Sequence, residues 1–288
     1  MDFELRVPGI DELGEAVAAL REWQSDDAPM QLHPGDLGWF WRFGGEATAA
    51  AVRTWNQDGR VLAVGLLDGP DVLRVTTAPQ FLHDAGLARR MAADIADPER
   101  GVLPAGKVNV EVPNGAALHE HLAEIGWGTD EAWTPLQRDL ADPVEDPGLR
   151  IGVAGPELAD LRAAVHRSAF EGSAFSEARW HAMAAGSPYA DARCLLGFDE
   201  AANAVAAVTV WSAGPGRPGL IEPMGVHKDH RGRGYGKAIC VAAAAALREL
   251  GSSGAIVCTP SSLAGAVATY ASAGFRHLSE RLDRHREA

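Results

Sequence analysis

The sequence predicts a mixed α/β protein of two tandem units, each a central, mostly antiparallel sheet flanked by helices. Three observations carry this. A chain of 288 residues corresponds to about two domains of ~150 residues. Gly86 and Gly234, Gly126 and Gly274, and Trp127 and Phe275 all lie 148 residues apart, and three coincidences at one step mark a duplication. Between the halves, "ADPVEDPGL" is acidic and proline-rich, a linker composition. The expected division is 1–140, a linker at 141–148, and 149–288.

The elements follow in order. In the first half "DFELRV" reads as a strand, 11–22 as a helix, and 46–55, 60–67 and 70–77 as strands. A helix over 84–97, the strand "KVNVEV", a helix over 114–125 and a strand over 131–139 complete it. The second half opens with the strand "LRIGV", then "PELADLRAAVHRSAF", helical in spacing behind a proline start. "SEARWHAMAA" is a short helix behind a serine cap. "RCLLGF" and "AVAAVTVW" flank "DEAAN" as a hairpin. "GLIEPMGV" is a strand, and "GYGKAICVAAAAALREL" a helix stopped at Gly251. "GAIVCT", "SSLAGAVATYASAG" and "FRHL" end the half as strand, helix and strand.

Bulk properties exclude several classes. The opening "MDFELRVPGI" carries acids where a signal peptide needs bases, and no apolar run reaches the ~18 residues of a membrane span. Cys194, Cys240 and Cys258 lie far apart without a CxxC pair, which reads as reduced thiols in a cytoplasm. The net charge of −13 divides into −14 for residues 1–145 and +1 for 146–288. A duplex-binding protein needs a basic stripe, and the acidic half offers the opposite. The ten histidines show no ligand spacing: His119 and His121 point different ways on a helix, and His227 and His230 lack partners. No metal is expected. No oligomer is indicated either.

The segment "HKDHRGRGYGKAI" sets Gly232, Gly234 and Gly236 among Arg231, Arg233 and Lys237, then enters a helix. A strand, a glycine-rich turn and a helix start form an anion cradle, because the first N–H groups of a helix lack partners and its dipole favours negative charge. The Walker motif fails, since Ala238 follows Gly236-Lys237 and Arg231 stands where its first glycine belongs. The dinucleotide fingerprint needs glycine at 237. An RGG-type segment would be repeated and would not lead into a helix.

The remaining pattern, [Q/R]-x-x-G-x-[G/A], fits Arg231-Gly232-Arg233-Gly234-Tyr235-Gly236. With "EPMGVHKDH" before it and "TYASAGF" after it, the chain resembles the GNAT superfamily of acyl-CoA-dependent N-acyltransferases over roughly 149–280. The resemblance implies two GNAT-like units, the second catalytic, with acetyl-CoA lying where strands 4 and 5 splay apart. Pro223 lacks an N–H and, with Gly225, weakens the fourth strand where such a splay would begin.

The roles implied are these. Backbone amides of 231–236 hold the pyrophosphate, with charge from Arg231, Arg233 or Lys237. Met224, Gly225 and Val226 line the acyl and pantetheine arm. Tyr270 meets the departing CoA sulfur. Glu222, expected on one face with Leu220, Met224 and Val226, is the candidate base, with His227 and His230 as second choices. Ser262 stands where the superfamily often has Asn, and aligns with Asn114 of the first half. The first half keeps the skeleton "HDAGLA" but puts Asp84 at the mouth of the cradle and Leu122 opposite Tyr270. It therefore reads as a non-catalytic copy that completes the core interface or walls the acceptor cleft, with its tryptophans as bulk. Mycothiol synthases have a similar tandem layout. The expected reaction is acetyl transfer to a primary amine, on a small molecule or a peptide. A non-catalytic acyl-CoA sensor is the rival.

Overall fold

The computed structural model describes residues 3–287. The first half runs β1 (Glu4–Arg6), α1 (Leu13–Trp23), α2 (Pro34–Phe40), α3 (Gly45–Ala51), β2 (Val52–Gln57), β3 (Arg60–Leu67), β4 (Val72–Thr77), α4 (Ala85–Ala96), β5 (Val108–Glu111), α5 (Ala117–Glu124) and β6 (Gly128–Asp139). The second runs β7 (Arg150–Val153), α6 (Ala159–Ala169), α7 (Glu177–Ala184), β8 (Ala192–Phe198), β9 (Ala204–Trp211), β10 (Gly219–Val226), α8 (Tyr235–Glu249), β11 (Gly254–Pro260), α9 (Ala264–Ser272), β12 (Arg276–His277) and β13 (Arg281–Arg286).

The strands form one sheet in the order β1-β2-β3-β4-β5-β13-β6-β11-β10-β9-β8-β7, with β12 also on β6. Among the described residues, only β4–β5 and β10–β11 pair in parallel. The last strand of each half crosses over. β6 pairs with β11 from Trp133↔Pro260 to Asp139↔Gly254, and β13 pairs with β5 around Arg284↔Val110. A division at 141–148 thus separates the chain but not the sheet. Helix α8 lays Ile239, Cys240, Ala243 and Leu247 on the second half's strands, and each fully buried Ile or Leu contributes about 1.5–3 kcal/mol. Helices α4 and α5 cover β3–β5 in the same way, around Leu87, Met91 and Leu122.

Three segments depart from the expectation. The strand expected at 46–55 is split: "GEATAAA" forms α3, as its alanines favour, and extended backbone begins at Val52. Helix α2 was not expected, because two glycines in seven residues argue against a helix. Both are required here, since Trp211 lies against them: a Cβ added at Gly35 would stand 2.5 Å from the Trp211 side chain, and one at Gly38 closer still. Strand β13 inverts the usual pattern. Arg281 and Asp283 are buried, while Leu282 between them is 43% exposed.

Candidate active site

Gly234 is the cap position before helix α8, in the left-handed region at φ 83°, with no side chain capping the helix; Gly232 is left-handed too, at φ 74°. A Cβ added at either would meet nothing within 4 Å. The helix start is therefore open, with its first N–H groups free for an anion. Gly236 has a different reason: its Cβ would come within 2.9 Å of Thr269 Cγ2, so glycine allows α8 to pack on α9. Arg231 is tied down, donating to the Ala169 carbonyl at 2.7 Å, while Arg233 and Lys237 are exposed. Tyr235 packs on the core beneath the loop. The corresponding end in the first half is closed. Asp84 caps α4, accepting from the Leu87 N–H at 2.7 Å, and Gly86 lies within the helix instead of before it.

From the loop, β10 leads inward. It pairs with β11 only at Gly219↔Ala255 and Leu220↔Ile256, and beyond these the two strands diverge. Against β9 its register slips between Ile221 and Met224, so Glu222 and Pro223 form a bulge. The bulge overturns the expected common face. Ile221, Met224 and Val226 point towards α8, whereas Leu220 belongs to the cluster on the opposite side. The His227 N–H bonds to the Val205 carbonyl. By antiparallel alternation, Met224 and Val226 then turn their amides away from β9, into the splay.

The splay opens on a cavity of about 350 Å³ whose lining includes Glu222, Met224, Cys258 and Tyr270 of the second half. Asp68, Arg74, Glu111 and Trp133 of the first half close it, with Arg281 from the crossed strand. Two larger depressions of about 620 Å³ lie elsewhere, one beside Trp180 and Tyr189 and one beside Phe40 and Phe43. Both are shallower, and neither contains Glu222 or Tyr270.

Arg74 organises the charges. Its guanidinium lies 2.9 Å from Asp36, 3.0 Å from Glu111, 3.5 Å from Asp68 and 3.8 Å from Glu222. Arg281 bonds Glu111 at 3.0 Å and Asp283 at 2.7 Å. Burial opposes charge on Arg74, but the surrounding carboxylates outweigh it and hold the guanidinium protonated. Glu111 stays ionised, because Arg74 and Arg281 together overcome its burial. Glu222 goes the other way. Burial lifts its carboxyl well above the usual range, and Asp36 and Asp68 add to the effect against Arg74. Burial likewise pushes the Tyr270 phenol upward, which keeps it a hydrogen-bond donor.

Of the residues the sequence singled out, Glu222, Met224 and Tyr270 meet in the cavity, and 231–236 form the open helix start. Ser262 lies apart from them. It is exposed on the turn before α9, and its hydroxyl donates to Glu131. Asn114, its counterpart, donates to the Ser279 and Glu280 carbonyls. His227 and His230 meet edge to face at the exit of β10, with ring centres 5.3 Å apart, and do not line the cavity. Asp36, Arg74, Glu111 and Arg281 were missed. For the three on strands the one sequence signal is polar residues at period two, as in Arg281-Leu282-Asp283, and Asp36 on α2 has none.

Among the described residues, no group of three or more His, Cys, Asp or Glu side chains could hold a metal ion. Nor is any helix among them long and apolar enough to cross a membrane. Residues 157–275 match the model of the Acetyltransferase (GNAT) family. Residues 157–275 therefore make up a GNAT acetyltransferase domain. A search of curated proteins found no match. Among solved structures, a GCN5-related N-acetyltransferase from Sphaerobacter thermophilus is 20% identical, with 99% of this chain and 95% of that one covered at a TM-score of 0.60. A tandem GNAT protein from the clavulanic acid biosynthesis pathway is 17% identical over 99% and 98%, also at 0.60. A GNAT-family acetyltransferase from Colwellia psychrerythraea is 14% identical over the full length of both chains, at 0.59. At these identities the likeness shows the fold, and it extends over both halves.

Proposed function

We propose that the chain transfers the acetyl group of acetyl-CoA to a primary amine of a small molecule, both being bound together. The observation that carries this reading is a continuous track. An uncapped, glycine-lined helix start and a walled cavity holding Glu222 and Tyr270 are joined by one strand edge whose amides face the gap. Amides of 231–236, with charge from Arg231, Arg233 and Lys237, would hold the pyrophosphate. Met224, Gly225 and Val226 would run beside the pantetheine arm, and the Val226 N–H would polarise the thioester carbonyl. Acetyl-CoA supplies the activated acyl group.

The amine nitrogen attacks the carbonyl carbon, the carbon–sulfur bond breaks, and the amine's proton passes towards Glu222. Tyr270 donates a hydrogen bond to the leaving thiolate. Its raised pKa makes complete proton transfer to sulfur less favourable, so a hydrogen bond is the role it supports. A cavity of about 350 Å³ enclosed from both sides suits a small acceptor better than a peptide. In this reading the first half is a non-catalytic GNAT-like unit, supported by its plugged helix start and by Leu122 opposite Tyr270. The three free cysteines fit a reducing cytoplasm.

Thiol release from acetyl-CoA across a panel of small amines tests the proposal. Amine-dependent release supports it. CoA binding without release for any amine would leave an acyl-CoA sensor instead.

A further inference from the structure

We propose that Asp36, carried by the first half, is the positioning residue for Glu222: the two carboxyls share one proton across the two halves, and the pair takes up the acceptor's proton. This rests on the acetyl transfer proposed above.

Two independent observations support it. The first is a missing donor. Asp36 is 2% exposed, and its Oδ2 accepts from the His33 N–H at 2.6 Å. Its Oδ1 is buried without a hydrogen-bond donor, although Arg74 Nη1 lies 2.9 Å away. The same Nη1 is 3.8 Å from Glu222 Oε1, so both carboxyls converge on one nitrogen. Two carboxylates sharing one buried site resist ionising together, and a single proton between them supplies the donor that Oδ1 lacks. Asp36 is nearer Arg74 and has the His33 N–H, so it holds the charge. The proton rests on Glu222, the member that faces the cavity.

The second observation is mechanical. The Trp211 indole fills the groove left by Gly35 and Gly38, and its Nε1–H donates to the Glu222 carbonyl at 2.7 Å. One side chain thus fixes the helix bearing Asp36 against the strand bearing Glu222. The charged and titratable groups around the pair are Arg74, Asp68, Glu111, Arg42, Tyr270 and the buried His33.

The proton step balances. An N–H bond of the acceptor breaks as an O–H forms on one Glu222 oxygen. The O–H on the other Glu222 oxygen breaks as one forms on Asp36 Oδ1. The pair gains the one proton the amine loses, and Asp36 ends neutral.

The test compares pH–rate profiles of the wild type and Asp36→Asn, which keeps an oxygen for the His33 N–H but removes the second acid. The acid limb of kcat/KM is expected to move up by about one unit, because the pair's second protonation, resisted at Asp36 by Arg74 and the His33 N–H, gives way to the single protonation of Glu222, which lies farther from Arg74. A limb that stays in place while kcat or stability falls would reduce Asp36 to a structural role and overturn the proposal. Infrared difference spectra of the wild type provide a readout that needs neither turnover nor a folded Asp36 variant. A protonated-carboxyl C=O band at neutral pH, lost in Glu222→Gln, is expected, and its absence overturns the shared proton. If no amine supports turnover but the band is present, acetyl transfer fails and the shared proton stands.

Discussion

Replacing Gly234 with valine tests the anion cradle directly. The residue sits at φ 83°, where a β-branched side chain costs about 1–3 kcal/mol, so the variant should melt a few degrees lower. The new Cβ meets no protein atom within 4 Å, so the free protein gains no clash. Its methyl groups instead occupy the space through which a phosphate reaches the first amides of α8. Losing one charge-assisted hydrogen bond of about 1.5–3 kcal/mol weakens binding about 10- to 150-fold. KM for acetyl-CoA, and Kd for CoA by calorimetry, should rise by that factor while kcat at saturation changes little. Gly86→Ala is the control, because that helix end is already filled by Asp84 and the change should leave both constants alone. A folded Gly234→Val protein with wild-type KM and Kd would refute the assignment.

Three further outcomes are expected. Tyr270→Phe should lower kcat by about 10²-fold with acetyl-CoA affinity nearly unchanged, measured by steady-state kinetics and calorimetry; full activity would dismiss the phenol. Gly38→Ala forces Trp211 to shift in a packed interior, so it should cost about 1–3 kcal/mol by urea titration and lower kcat by loosening the Glu222 bulge. The third concerns pH. His33 and His166 are buried and neutral, each held down to about 3 by desolvation. An unfolded histidine binds a proton below about 6.5, so their contribution is complete above that pH and is lost as pH falls towards 3. The slope is at most about 1.4 kcal/mol per pH unit for each. Urea midpoints that stay flat across this window would contradict their neutral burial.

Much of the fold could be read in advance where local chemistry decides it. The strands 60–67, 204–211 and 219–226 carry the bounds expected of them, because apolar runs there end at turn-forming residues. Glu222 and Tyr270 were both singled out, and one cavity brings them together. The bulge at Glu222-Pro223 was foreseen only as a weak point. That it would turn Met224 and Val226 to the α8 side depends on the register with β9, which alternation alone cannot supply. Helix α2 was hidden because its glycines are explained by Trp211, about 175 residues further along the chain. Strand β13 was hidden because its buried residues are charged, and they make sense only beside Glu111.

By itself, the sequence determined the tandem plan and the glycine-lined helix start at Gly234; it put Asp84 at the mouth of the first half's cradle but did not show that its side chain caps the helix. The helix start depends on backbone freedom within a few residues, and the tandem plan on residues repeating at one step of 148. The tertiary structure decided that β6 and β13 would change places, and hence that Asp68, Arg74 and Glu111 would close a cavity opened by β10 and β11. Strand pairing across some 150 residues is selected by the whole set of contacts it buries, and no local pattern in the chain encodes which partner offers the better set.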